Sequence, residues 1–168
     1  MTQEEFIEVL KKKAFSYEIE GDKIIVTYEG DVDLSSLTSL PPDVEFKNGG
    51  SVRLESLTSL PPGVEFRNRG YVNLGHLQSL PPGVEFRNRG DVNLRSLTSL
   101  PSGVEFKNGS YVNLKSLTSI SPGVEFRNGE GVYLESLTGE WFEYCDGNIE
   151  GIDNKRLLNL MIKREMFI

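Results

Sequence analysis

The sequence predicts a mainly β protein, a right-handed β-solenoid of about six coils with a cap at each end. Three observations lead there. A twenty-residue unit, V-x-L-x-S-L-T-S-L-P-P-G-V-E-F-[KR]-N-x-G-x, recurs over residues 24–139. Its apolar columns hardly vary: Val32, Val52, Val72, Val92, Val112 and Val132 share one, Leu34 to Leu134 a second, Leu37 to Leu137 a third, and Phe46, Phe66, Phe86, Phe106 and Phe126 a fourth. A proline corner, Pro-Pro-Gly in its fullest form, and an Asn corner, Asn-Gly or Asn-Arg-Gly, then punctuate the units. A fixed period of this length marks a solenoid, because one unit cannot bury its apolar edge alone and stacked neighbours complete the core.

The elements follow in chain order, in one domain with a cap at 1–23, repeats at 24–139 and a second cap at 140–168. Thr2 and Glu5 stand in capping-box spacing and open a helix with Phe6, Ile7 and Leu10 on one side. A strand around Tyr17 to Glu20 and a Gly21-Asp22 turn lead into the first coil, where Ile24, Val26 and Tyr28 occupy the columns later held by Val44, Phe46 and Asn48. V-x-L and V-x-F alternate in twos, so each is a short strand with its apolar side inward. Pro61, Pro62 and Gly63 block helix and force a corner before Val64. Asn48-Gly49 or Asn68-Arg69-Gly70 makes the next corner, expected to use the positive φ that Asn and Gly tolerate. The Asn column (Asn48, Asn68, Asn88, Asn108, Asn128) falls in the inward phase and is expected to satisfy backbone groups at that bend. At the far end Phe142 and Tyr144 imitate the Val and Phe of the unit, and a helix from about Asp153 with Leu157, Leu158, Met161 and Ile162 forms the closing cap. Solenoid ends need such caps, since they expose apolar surface and unpaired strand edges.

The stretch "SLPPGVEFRNRGYVNL" resembles the repeats of bacterial and phage leucine-rich-repeat-like proteins, in which an L-x-S-L-P-x-G turn precedes a short strand, a Gly-containing turn and a second V/L-x-L strand. The likeness covers about residues 24–139. It implies recognition of a partner without catalysis, and its frequency in phages and mobile elements implies interference with a host protein. The unit is shorter than typical leucine-rich repeats and has no helix, so a nearly straight solenoid is expected in place of a horseshoe.

Composition bounds the function further. The formal charge of −7 is uneven: residues 1–34 hold nine acids and four bases, residues 35–139 ten of each, and residues 140–168 six and four. A nucleic-acid binder concentrates Lys and Arg on one face, and a DNA mimic carries unbalanced carboxylates along its length. Neither pattern is present in the repeats, so no nucleic acid is expected. No apolar run is long enough to span a bilayer, and the start "MTQEEFIEVLKKK" is acidic and amphipathic, which points to the cytoplasm and away from a membrane. The single Cys145 excludes an internal disulfide and a cysteine-rich zinc site.

Few residues suggest chemistry. Glu45, Glu65, Glu85, Glu105 and Glu125 are expected to stack outward beside Lys47, Arg67, Arg87, Lys107 and Arg127. Two opposite ladders of this kind form a self-neutralised wall more readily than an ion track. His76 replaces a serine of its column and has no metal-binding or nucleophilic partner in the unit. Glu143, Asp146 and Glu150 fall in a turn, and Gly49-Gly50 opens no helix, so no catalytic residue, metal site or cofactor is expected. Ser-Leu-Thr recurs in five of six coils and sends two hydroxyl columns outward, a lattice some ice-binding proteins share and many solvated edges share too.

The outward columns of the V-x-L strand are the ones that vary. One reads Asp31, Ser51, Tyr71, Asp91, Tyr111, Gly131, the next Asp33, Arg53, Asn73, Asn93, Asn113, Tyr133, and the third Ser35, Glu55, Gly75, Arg95, Lys115, Glu135. Packing constrains inward positions and leaves these free, so their variation reflects either drift on an unused face or a contact surface. Tyr and Arg among Asn is the composition of contact surfaces. The candidate partner-binding set is therefore Tyr71, Asn73, Asp91, Asn93, Arg95, Tyr111, Asn113, Lys115 and Tyr133. Another protein is the expected partner, and the chain itself is expected as a monomer or end-to-end dimer. A structural or assembly role is the main alternative and ice or crystal-surface binding the outside one.

Overall fold

The computed structural model describes residues 1–138 and the strand backbones of 141–145 and 148–150. The chain is a β-solenoid of about six turns with a helix at its N-terminal end. The helix spans Gln3–Lys12 and starts on the expected capping box: Glu5 N–H donates to the Thr2 hydroxyl, while the Glu5 carboxylate accepts from Thr2 N–H. Phe6 and Leu10 are buried in the same core as the coils, so the helix plugs the open end.

Each coil carries strands on successive sides. On the V-E-F side, Tyr17–Glu20 pairs antiparallel with Lys23–Val26, which then pairs parallel with Val44–Phe46 in the register Ile24↔Val44, Val26↔Phe46. Every later coil adds a parallel strand to make a seven-stranded sheet ending at Glu125–Phe126. On the V-x-L side, strands from Val32–Asp33 to Gly131–Tyr133 stack in parallel register. A third side was not foreseen. Ser99–Leu100 pairs parallel with Ser119–Ile120, and Ser59 bridges Ser79. Two residues are too few to show alternation, so only stacking against the next coil turns them into strand.

The interior is layered by column. Phe46, Phe66, Phe86, Phe106 and Phe126 stack with centroids 5.1–5.5 Å apart and planes within 7° of parallel. This offset-stacked aromatic file follows from one coil spacing of about 4.8 Å. The Asn column is buried beside it. Asn88 Nδ2 donates to the carbonyls of Gly70, Gly90 and Asp91 at 3.1, 2.8 and 3.2 Å, tying its own corner to the one before.

Three expectations need correction. The Asn corner uses no positive φ; left-handed backbone falls at Gly63, Gly83, Gly103 and Gly123 of the Pro corner, and at Asp43 in the same column. Glycine at the Asn corner is needed for crowding, since a Cβ on Gly49 would lie 2.1 Å from the Glu29 carbonyl oxygen and one on Gly70 2.6 Å from the Ser51 nitrogen. Glu45, expected outward and exposed, is only 4% exposed. Lys23, Lys47 and Arg67 close over it at 3.3–3.4 Å, and the neighbouring outward Ile25 is buried too. Finally, Trp141–Cys145 does not continue the V-E-F side. It pairs antiparallel with Gly131–Tyr133 and then with Asn148–Glu150, after a helical turn at Glu135–Thr138. Reversing the chain there covers the last V-x-L edge. The closing helix expected from Asp153 lies outside the described residues.

Candidate functional site

On the V-x-L side the parallel register holds the Val and Leu columns inward, which leaves one outward residue between them and one at each corner. Asn73, Asn93 and Asn113 sit at the centre, half-buried. Their side chains do turn chemistry: the Asn73, Asn93 and Asn113 Oδ1 atoms accept from the N–H two residues on, in Gly75, Arg95 and Lys115, at 3.2–3.3 Å. Asp33 does the same for Ser35, and that bond with the Ser35 hydroxyl holds the Asp33 carboxyl below its usual range. The side chains also link along the axis, since Asn93 Nδ2 donates to Asn73 Oδ1 at 2.9 Å and Asn73 Nδ2 to Glu55 Oε1 at 2.6 Å.

Tyr71 lies over this network. Burial pushes its phenol pKa up, while the hydrogen bond with Asn93 pulls the other way and the carboxylates of Glu55 and Asp91 add to the rise. The phenol is therefore neutral and able to donate at ordinary pH. Tyr111 and Tyr133 form a tilted pair with centroids 5.9 Å apart. All three tyrosines are half-buried rather than fully exposed. Asp91 is exposed and uses one carboxylate oxygen to accept from Tyr111 N–H at 3.2 Å. Arg95 and Lys115 are exposed, and an Arg95 guanidinium nitrogen lies 3.3 Å from His76 Nε2.

The structure thus links Asn73, Asn93 and the Arg95 backbone, with Tyr71 against Asn93, ties Asp91 to the Tyr111 backbone, and sets Tyr111 beside Tyr133. Sequence reasoning left Glu55 out of the set, although its carboxylate accepts from Asn73 at the end of the Asn73–Asn93 chain. Its column of Ser, Glu, Gly, Arg, Lys and Glu carried the only signal, variation without a period.

The V-E-F side is arranged differently. Arg67 meets Glu65 at 3.0 Å, Arg127 meets Glu125 at 2.7 Å, and Arg87 with Glu85 and Lys107 with Glu105 make the same pairing. A shallow groove between Pro62, Arg67, Pro82 and Arg87 has its charges engaged in this way. Among the described residues no cluster of His, Cys, Asp and Glu has the makings of a metal site, and no helix is long and apolar enough to cross a membrane.

Fold and surface together define the class: a β-solenoid built from repeats of about twenty residues, with an internal Asn ladder and Phe stack. No family model matches the chain, and neither does any curated protein or solved structure.

Proposed function

We propose that the chain is a non-catalytic recognition module that binds another protein through its V-x-L side. One observation carries this reading. Coils whose interiors are nearly identical differ on this side, and there they place three half-exposed tyrosines on a rigid parallel sheet. Rigid aromatic area beside adaptable amides is what binding surfaces use, because little conformational entropy remains to be lost on contact. The resemblance to bacterial and phage repeat proteins extends the reading to interference with a host protein. Tyr71 and Tyr111 stand two coils apart, about 10 Å, so one partner surface covers both.

The test is capture of a partner from a bacterial lysate. Tyr71→Ala combined with Tyr111→Ala is expected to abolish capture with little change in melting temperature, whereas Glu85→Gln combined with Arg87→Gln is expected to leave it intact. Full capture by the tyrosine variant would move the site off this side. The structural-element alternative makes a separate prediction, self-association on gel filtration as concentration rises.

A further inference from the structure

The cations of the solenoid fall into two groups. Those beside the V-E-F strand each meet a glutamate, as above. Four others are exposed and meet no carboxylate among the described residues: Arg69 and Arg89 at the corner entering the V-x-L strand, and Arg95 and Lys115 at the corner leaving it. On this side only Arg53 is paired, with Asp31 at 3.3 Å.

The fold does not require them. Arg69 and Arg89 replace the glycine that fills this column as Gly49, Gly109 and Gly129. In these coils the crowded glycine is Gly70 or Gly90, in the column that Gly50 also fills, where a Cβ would come within 2.6–2.7 Å of the preceding coil's backbone. The backbone bond at this position is the same with Arg as with Gly, from Arg69 to the Asn48 carbonyl as from Gly109 to the Asn88 carbonyl, so two adjacent coils each display a guanidinium about one coil spacing from the other without a change of corner pairing. Like charges so close are unfavourable alone. At the opposite corner Gly75 leaves room for Arg95, whose Nε would lie 3.4 Å from a Cβ at that position.

The balance along the axis agrees. Residues 61–120 hold four acids and seven bases, whereas the flanking repeat residues 35–60 and 121–139 hold six acids and three bases. The basic zone is confined to three central coils in a chain of charge −7.

We infer that the V-x-L side takes an acidic protein segment, its carboxylates held by Arg69 and Arg89 on one corner and by Arg95 and Lys115 on the other, with Tyr71 and Tyr111 packed against it between them. This rests on the protein-recognition reading above and names the partner's chemistry. Guanidinium and carboxylate match in a planar fork, which suits Arg at three of the four positions. A short segment is favoured over a nucleic acid because a long polyanion lying along the rod meets the acidic first coil and cap, residues 1–34 with nine acids and four bases.

A fluorescein-labelled decaglutamate peptide and a labelled short DNA duplex are the probes, followed by anisotropy at low and at physiological salt. Decaglutamate is expected to bind at low salt and weaken as salt rises. Arg69→Gln with Arg89→Gln, and separately Arg95→Gln with Lys115→Gln, should each weaken it about tenfold or more, while Arg87→Gln with Arg127→Gln changes it little, because those guanidiniums are already engaged with Glu85 and Glu125. Equal weakening by the Arg87/Arg127 variant, no binding by the native protein, or tighter binding of the duplex would each overturn the inference. Failure here is distinguishable from failure of the broader reading: if the tyrosine variant loses a captured protein that all the cation variants retain, recognition stands and the acidic partner does not.

Discussion

Asn88 shows how much one side chain can be asked to do. Its amide nitrogen faces three carbonyl oxygens, and its Oδ1 accepts no hydrogen bond from the protein. The reverse orientation would set four oxygens together, so the amide direction is dictated by its surroundings. The residue type was legible in the sequence, since a polar column in the inward phase has few other uses. An aspartate there should be damaging, and in a pH-dependent way. At pH 7 Asn88→Asp buries a carboxylate against carbonyls, which is expected to cost about 3 kcal/mol or more. Its folded-state pKa is raised above the unfolded value, so the penalty is full at neutral pH and shrinks as pH falls towards the ordinary carboxylate range, where a protonated carboxyl can donate again. Urea melts at pH 7 and pH 5 should show the deficit relative to the native protein narrowing; an equal deficit at both would refute this account of the ladder.

At the scale of the strand, inward and outward positions were assigned correctly from alternation, with Glu45 and Ile25 as exceptions. Both lie in the outward phase yet are buried at the N-terminal end of the sheet. No periodicity could reveal this, because the cover over Glu45 includes Lys23 from the coil before and Arg67 from the coil after. The Phe file gives the sharper test of the assignment. Phe86 is fully buried between Phe66 and Phe106 at 5.3 and 5.2 Å, so Phe86→Ala is expected to cost about 3 to 5 kcal/mol. Arg87→Ala, one residue on and exposed, should cost well under about 1 kcal/mol in the same urea titration. Comparable losses would mean that the phase of this strand is wrong.

Stability in the whole molecule is close to a sum over coils and the interfaces between them. Register is carried by columns exactly one repeat apart, as in Val72↔Val92 and Phe86↔Phe106. Deleting residues 81–100 should therefore leave a folded, shorter solenoid that melts cooperatively at a lower temperature. Deleting 82–100 instead displaces every following column by one residue, turning Phe106 and Val112 outward, and should abolish cooperative melting followed by far-UV circular dichroism. A folded product from both deletions would show that neighbouring coils tolerate a slipped register.

The repeat by itself determined the solenoid, the inward columns, the Asn ladder and the choice of the V-x-L side as the variable one, and the Thr2–Glu5 capping box determined the N-terminal helix. Each depends on a residue's own chemistry and a short spacing, which a linear sequence displays. The tertiary structure decided the rest: the third-side strand pair at Ser99–Leu100 and Ser119–Ile120, the reversal at Trp141–Cys145, the crowding that demands glycine at the Asn corner, and which cations meet a carboxylate. The Arg67 and Arg69 side chains look alike in "FRNRG". Arg67 shares its strand face with Glu65 at 3.0 Å, and the turn of the coil adds Glu45 of the preceding coil at 3.3 Å, about twenty residues away in the chain and one coil spacing of about 4.8 Å away in space, while Arg69 is carried round the corner to solvent.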